Sequence, residues 1–362
     1  MPTPRLQPRA LHFGAVLAIL LTAAPARAGS PPVSSPPPVV PAAERVRGVC
    51  WEGGRPVVAA DLAPVTALGA GWISQTPFGW QRAVDEPRIR VNSRSVLGFG
   101  PYWGETDTGL AVTARLAHRA GLKVMLKPHV WLHGGRWCGE IRMRDARGWQ
   151  AWFREYTAFI THYAALAERE RMEMLCVGVE LKGTASRERD WRAVIAAVRR
   201  VYHGRLTYAA NWDGEVDSVA FWDALDAIGV QAYYPLSEFP SPAGAELERG
   251  WERWREPLEG AARAWGRPVL FTEVGYKSCR SAATRPWEWD PDGPADMGLQ
   301  ERCYEALFRV FWDRPWFAGV CLWKWHPKHD DAGGPADRTF TPQHKPAERV
   351  AKMWFSRPMI SP

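Results

Sequence analysis

Eight short, continuously apolar runs recur along the chain, and amphipathic or polar stretches separate each from the next. The runs span 46–50, 72–78, 123–129, 174–180, 206–212, 228–234, 268–275 and 319–325. Short runs of this kind, apolar on both faces, read as buried parallel strands. Between them, 107–120, 149–169, 189–202, 216–225, 247–265 and 299–312 repeat apolar residues at helical spacing. Gly121, Gly204 and Gly266 follow three of these stretches and mark helix ends. Eight strand–helix units in one chain predict a (β/α)8 TIM barrel, an α/β fold with a single core. The other arrangement of alternating units is a doubly wound open sheet. It carries a glycine-rich phosphate loop after its first strand, and Gly53-Gly54 does not continue into one.

The N-terminus reads as an address. Arg5 and Arg9 precede an apolar run, and Ala26-Arg27-Ala28 forms a small-x-small cleavage site. Residues 1–28 are therefore expected to be a signal peptide, which implies a secreted or periplasmic protein. Residues 29–43, rich in Pro and Ser, read as a linker, and 44–362 as the single folded (β/α)8 domain. Loss of Arg5, Arg9 and Arg27 lowers the formal charge from +7 to +4. Such a mild, dispersed charge gives no basic stripe for nucleic acid. No apolar run reaches the roughly 18 residues of a membrane span. Export permits disulfides, and one bond among Cys138, Cys279 and Cys303 is expected, with its pairing open. Cys50, Cys176 and Cys321 lie in strand-like runs and read as buried thiols. No cysteine or histidine spacing predicts a metal site, and His326 with His329 reads as a polar loop.

In such a barrel, chemistry collects at the C-terminal strand ends. The fourth run ends in Glu180 and the seventh in Glu273. A carboxylate closing an apolar strand is costly unless it has work to do. The third run ends in Lys127-Pro128-His129, the fifth in Asn211-Trp212, the sixth in Tyr233-Tyr234 and the eighth in Trp323-Lys324-Trp325. One rim thus gathers two carboxylates, hydrogen-bonding groups and indoles. The chain holds 21 tryptophans against 9 tyrosines, an unusual excess. Most tryptophans read as core or helix-packing residues, and Trp149, Trp152, Trp191, Trp222, Trp251, Trp254 and Trp312 fall within helical stretches. Trp51, Trp103, Trp131 and Trp137 fall near strand ends, as do Glu52, Glu105 and Glu140. Paired carboxyl groups with indole platforms suit glycoside hydrolysis.

Five motifs in order on successive strand ends carry a family resemblance. They are Lys127-Pro128-His129, Gly178-Val179-Glu180-Leu181, Leu206 to Trp212, Ala232-Tyr233-Tyr234-Pro235-Leu236 and Phe271-Thr272-Glu273-Val274-Gly275-Tyr276. This set resembles glycoside hydrolase family 113, clan A retaining enzymes with a TIM barrel and mannanase activity. The resemblance implies Glu180 as acid/base and Glu273 as nucleophile, with Tyr233 orienting the nucleophile. It also implies that His129, Asn211, Trp212, Trp323 and Trp325 line sugar subsites. Glu273 would be held ionised by Tyr233 and by Lys127 or Lys324, and Glu180 kept protonated. It implies no cofactor and no metal, a polysaccharide or oligosaccharide substrate, and a monomer. Val179 stands where clan A enzymes often carry a sugar-binding Asn, so the sugar stays open. The alternatives are an exo-acting or other-sugar enzyme of the same clan, or a silent glycan-binding barrel.

Overall fold

Runs such as Met-Leu-Cys-Val-Gly-Val at 174–179 offer no polar side chain to water on either face, so they pair in the molecule's interior. The computed structural model describes residues 36–91, 103–290 and 293–357. Its centre is a closed barrel of eight parallel strands, each hydrogen-bonded to its neighbours in chain order. They are β1 (Val46–Trp51), β2 (Trp72–Gln75), β3 (Lys123–Leu126), β4 (Met174–Val179), β5 (Arg205–Asn211), β6 (Ala227–Gln231), β7 (Val269–Val274) and β8 (Phe317–Trp325). This is the (β/α)8 TIM barrel that the alternation predicts.

Amphipathic helices Asp107–Arg119, Ala146–Arg169, Glu188–Arg199, Gly244–Trp265 and Met297–Phe311 connect the strands. Each presents a buried apolar face, such as Trp152, Tyr156 and Phe159 on Ala146–Arg169. Gly266 caps its helix with φ +61°, a left-handed conformation that costs glycine little. Gly204 caps nothing, because its helix has already ended at Arg199.

Three features differ from the sequence reading. The runs 72–78 and 123–129 each split in two. Pro77 and Pro128 have no N–H to continue the barrel ladder. Beyond them Phe78–Gln81 and His129–Leu132 pair in parallel, and Ile89–Val91 adds an antiparallel edge. This small sheet stands beside the barrel mouth. Second, 216–225 is not one helix. Glu215–Ser218 makes a single turn, the chain then extends through Val219, and a short 3-10 turn Trp222–Ala224 follows, with Val219, Phe221 and Trp222 buried. Phe221 stacks on Trp191 at 5.5 Å there, so packing overrides the helical pattern. Third, a helix at Pro346–Ser356 closes the chain against Met297–Phe311, with Trp354 stacked on Phe308.

The expected signal peptide and residues 29–35 of the expected linker lie outside the described residues. Val40 is buried, and its N–H donates to the Pro315 carbonyl at 2.8 Å. No helix among the described residues is long and apolar enough to cross a membrane. All six cysteines are free and buried. The disulfide expected among Cys138, Cys279 and Cys303 is absent because the three occupy separate surroundings. Cys138 lies under the Glu180 carbonyl, Cys279 beside Ser281, and Cys303 inside its helix.

Candidate active site

The C-terminal strand ends open into one cleft of about 1190 Å³. Glu180, Glu273, His129, Asn211, Trp212, Tyr233 and Trp323 all line it.

Glu273 sits near the end of β7, where an otherwise apolar strand carries it into the floor. Lys127, just past β3, meets its Oε1 as a buried ion pair. The Tyr233 hydroxyl donates to Oε2 at 2.7 Å. Burial by itself would raise the Glu273 pKa. Burial is the largest single influence, but the Lys127 ammonium, His129 and the hydrogen bonds from Lys127 and Gln231 together outweigh it and hold the carboxyl below its ordinary range. Lys324, the other cation considered for this role, instead bonds Glu52 at 2.9 Å. The His129 Nε2 lies 3.6 Å from Glu273 Oε1. Burial, reinforced by Lys127, pushes the imidazole pKa down to about 3, so the ring is neutral.

Glu180 follows β4 directly and takes a left-handed backbone, φ +52°. Its N–H bonds the Ala209 carbonyl at 2.9 Å, which ties it to β5. Asn211 Nδ2 donates to its Oε1 at 2.6 Å, and the Trp137 indole N–H is a further donor. Desolvation, aided by the nearby Glu273 charge, lifts its pKa to about 7 against those donors. Asn211 is itself braced. Glu215, buried one turn on, accepts the Asn211 N–H at 2.6 Å and the Tyr208 hydroxyl at 2.5 Å. Lys182 pairs with Asp213 at 2.9 Å, so it gives Glu180 no counter-charge.

Aromatic walls flank the carboxyl groups. Trp212 stacks on Trp287 at 4.8 Å. Trp323 meets Trp289 edge-on at 5.9 Å. Phe78, Trp80 and Trp131 come from the small sheet, and Trp51 and Trp137 complete the lining. Trp325 does not line the cleft. The β1–β8 register shifts between Val49 and Trp51, and Trp325 is fully buried beside His329. Trp103 and Glu140 also lie off the cleft.

Glu52 and Glu105 line it too. Burial would raise the Glu52 pKa, but His326 at 2.5 Å and Lys324 bring it down to about 2. Burial, with the Glu52 charge beside it, drives Glu105 up to about 8. The sequence reading missed Trp287, Trp289, Phe78 and Trp80. Trp287-Glu288-Trp289, a tryptophan pair in a loop after a barrel strand, was the available signal. Val179 is buried against Cys176 and Ala209 and faces no substrate space.

The family model of Glycoside Hydrolase Family 113 matches residues 55–345. A family 113 β-mannanase from Alicyclobacillus acidocaldarius, solved in complex with ManMIm, is similar in structure with TM-score 0.72 and 32% identity. That alignment covers 86% of this chain and 97% of the other. A family 113 β-1,4-mannanase, also solved as a complex, aligns with TM-score 0.74 and 27% identity, over 87% of this chain and all of its own. A Ruminococcus gnavus β-glucuronidase, 14% identical with TM-score 0.56 over 86% of this chain and 50% of its own, shares the fold alone. No curated protein sequence is significantly similar. With the match spanning most of the described residues, the chain belongs to glycoside hydrolase family 113 and is a glycoside hydrolase.

Proposed function

We propose that this hydrolase cleaves β-1,4-mannan or a closely related β-linked polysaccharide with retention of anomeric configuration. The observation that carries the reading is the opposite charging of two carboxyl groups in one cleft. Glu273 is ionised beside Lys127, and Glu180 is held protonated to about pH 7. In the first step a Glu273 oxygen attacks the anomeric carbon while Glu180 passes its proton to the glycosidic oxygen. The glycosidic bond breaks and the leaving sugar departs. The Glu273 charge is then consumed in an ester bond. Its repulsion on Glu180 disappears, so the Glu180 pKa falls and the carboxylate becomes a base. It takes a proton from water, and that oxygen attacks the anomeric carbon and releases Glu273. Tyr233 orients the nucleophile, and Asn211 orients the acid. His129, Trp212 and Trp323 complete the sugar contacts, and the Trp212–Trp287 stack offers an indole face to a sugar ring. The similarity to family 113 β-mannanases supports the choice of mannan.

The reading includes export, on the strength of the N-terminal pattern, and action as a monomer. A second reading, a different β-linked sugar, draws on Val179. With that side chain packed inside, recognition of the sugar 2-hydroxyl falls to other groups such as Asn211.

The test is product analysis on β-1,4-mannan, glucomannan, cellulose, xylan and manno-oligosaccharides, with Glu273→Gln as control. NMR of the first-formed anomer accompanies it. Release of β-anomers from mannan by the wild type alone is the expected result. Initial α-anomers would overturn retention, and release only from cellulose or xylan would overturn the sugar.

A further inference from the structure

After β8, three metal-ligating side chains that do not line the cleft converge. His329 lies in the turn His329–Asp331 after β8, and its Nε2 stands 3.1 Å from Glu348 Oε1. His344 precedes the helix Pro346–Ser356, and its ring centroid is 4.2 Å from that of His329. One ligand atom from each of His329, His344 and Glu348 lies within 4.8 Å of the others. We infer that these three side chains bind a first-row transition-metal ion, with zinc the best match, at a structural site separate from the catalytic carboxyl groups.

The donor set is two imidazoles and one carboxylate, a common zinc ligand set, and the half-open position leaves room for water as a fourth ligand. Ligand atoms about 2.0–2.1 Å from a tetrahedral zinc ion stand roughly 3.3 Å apart. The His329–Glu348 spacing is already of that size, although His329 Nε2–H now donates to the carboxylate; zinc would displace that proton, and His344 would swing inward. His344 Nε2 lies 3.0 Å from the His329 backbone carbonyl, to which it donates. That bond leaves the lone pair on Nδ1, and it is the kind of outer partner that metal-bound imidazoles keep. The carboxylate of Asp330 lies 3.7 Å from His329 Nδ1, on the opposite ring nitrogen.

A helix cap alone does not account for this grouping. Glu348 Oε2 accepts the His344 N–H at 2.6 Å, and one carboxylate suffices for that. The second imidazole arrives from the other side of a loop, where His344 takes a left-handed backbone, φ +56°. Residues His326, Lys328 and Asp331 of the same loop line the cleft. A metal ion here would fasten that rim to the C-terminal helix without entering the chemistry.

The test uses the full chain, stripped with chelator and dialysed against zinc chloride. Bound metal is counted by mass spectrometry, and unfolding is followed by calorimetry. One zinc per chain and a Tm rise of about 2 °C or more are expected. Glu180→Gln keeps both, which places the ion away from the catalytic acid. His344→Asn and Glu348→Gln each lose the bound zinc and the Tm rise, and initial rates on mannan are the same with and without chelator. Zinc absent from the wild type, or retained equally by both variants, overturns the site.

Discussion

Lys127 and Glu273 form a buried ion pair at the base of the cleft, and the ammonium also lies 3.4 Å from the Gln231 side-chain oxygen. This pairing decides which carboxyl group is charged. Burial acts on both glutamates, and among the described residues Lys127 pairs directly with Glu273 while acting on Glu180 only at a distance.

The rate should therefore follow a bell in pH. Activity needs Glu273 ionised and Glu180 protonated, so it falls below the depressed Glu273 pKa and above about pH 7. Lys127→Met removes the cation, and the Glu273 pKa rises. The acid limb of kcat/KM then moves upward, the bell narrows, and the maximum drops by about 10²-fold or more. An acid limb that stays in place would show that Lys127 does not set the ionisation of Glu273.

The same pair governs stability. Lys127→Met or Glu273→Gln alone leaves one buried group without its partner, at a cost of about 3–5 kcal/mol. The double variant leaves no buried charge and should regain much of that loss. Urea unfolding of the four proteins measures the coupling. Additive losses would mean that the two side chains do not stabilise each other.

Much of this was readable beforehand because burial on both faces leaves a strong mark. Strands such as 174–179 admit only small or apolar residues, so Glu180 at the end of one stands out. Glu273 stands out for the same reason. What escaped depends on contacts between distant segments. Pro77 and Pro128 sit in apolar runs, and only the pairing of Phe78–Gln81 with His129–Leu132 reveals a second sheet. Trp323 and Trp325 look equivalent in sequence, and a register shift against β1 separates the cleft-lining indole from the buried one. His326 and His329, three residues apart, serve different carboxylates, Glu52 and Glu348.

Removing the acid/base should split the two chemical steps. Glu180→Ala retains Glu273, so a substrate with a good leaving group still forms the glycosyl-enzyme, but its hydrolysis slows by roughly 10²–10⁴-fold. Azide, small enough for the vacated space and in need of no base, should restore turnover. The product expected by NMR is a β-glycosyl azide. An α-azide would mean that the roles of Glu180 and Glu273 are reversed.

The three tryptophans Trp323, Trp325 and Trp251 should separate by what they touch. Trp323 borders the cleft, with the Lys127 ammonium 5.8 Å from its ring centre. Trp323→Ala should cut kcat/KM by about 10²-fold, since an indole platform contributes roughly 1–3 kcal/mol beyond any positioning it provides. Trp251 is buried in Gly244–Trp265 and stacks on Phe271 at 5.8 Å. Its truncation opens a cavity costing about 3–5 kcal/mol, with kcat/KM of the folded protein nearly unchanged. Trp325 is just as buried, yet it lies at the end of β8 against His329, so Trp325→Ala should lower Tm like Trp251→Ala and loosen the cleft rim as well. Kinetics at 25 °C beside thermal melts of each variant distinguish the three. A Trp251→Ala enzyme that melts normally but loses more activity than Trp323→Ala would invert the assignment of indoles to cleft and core.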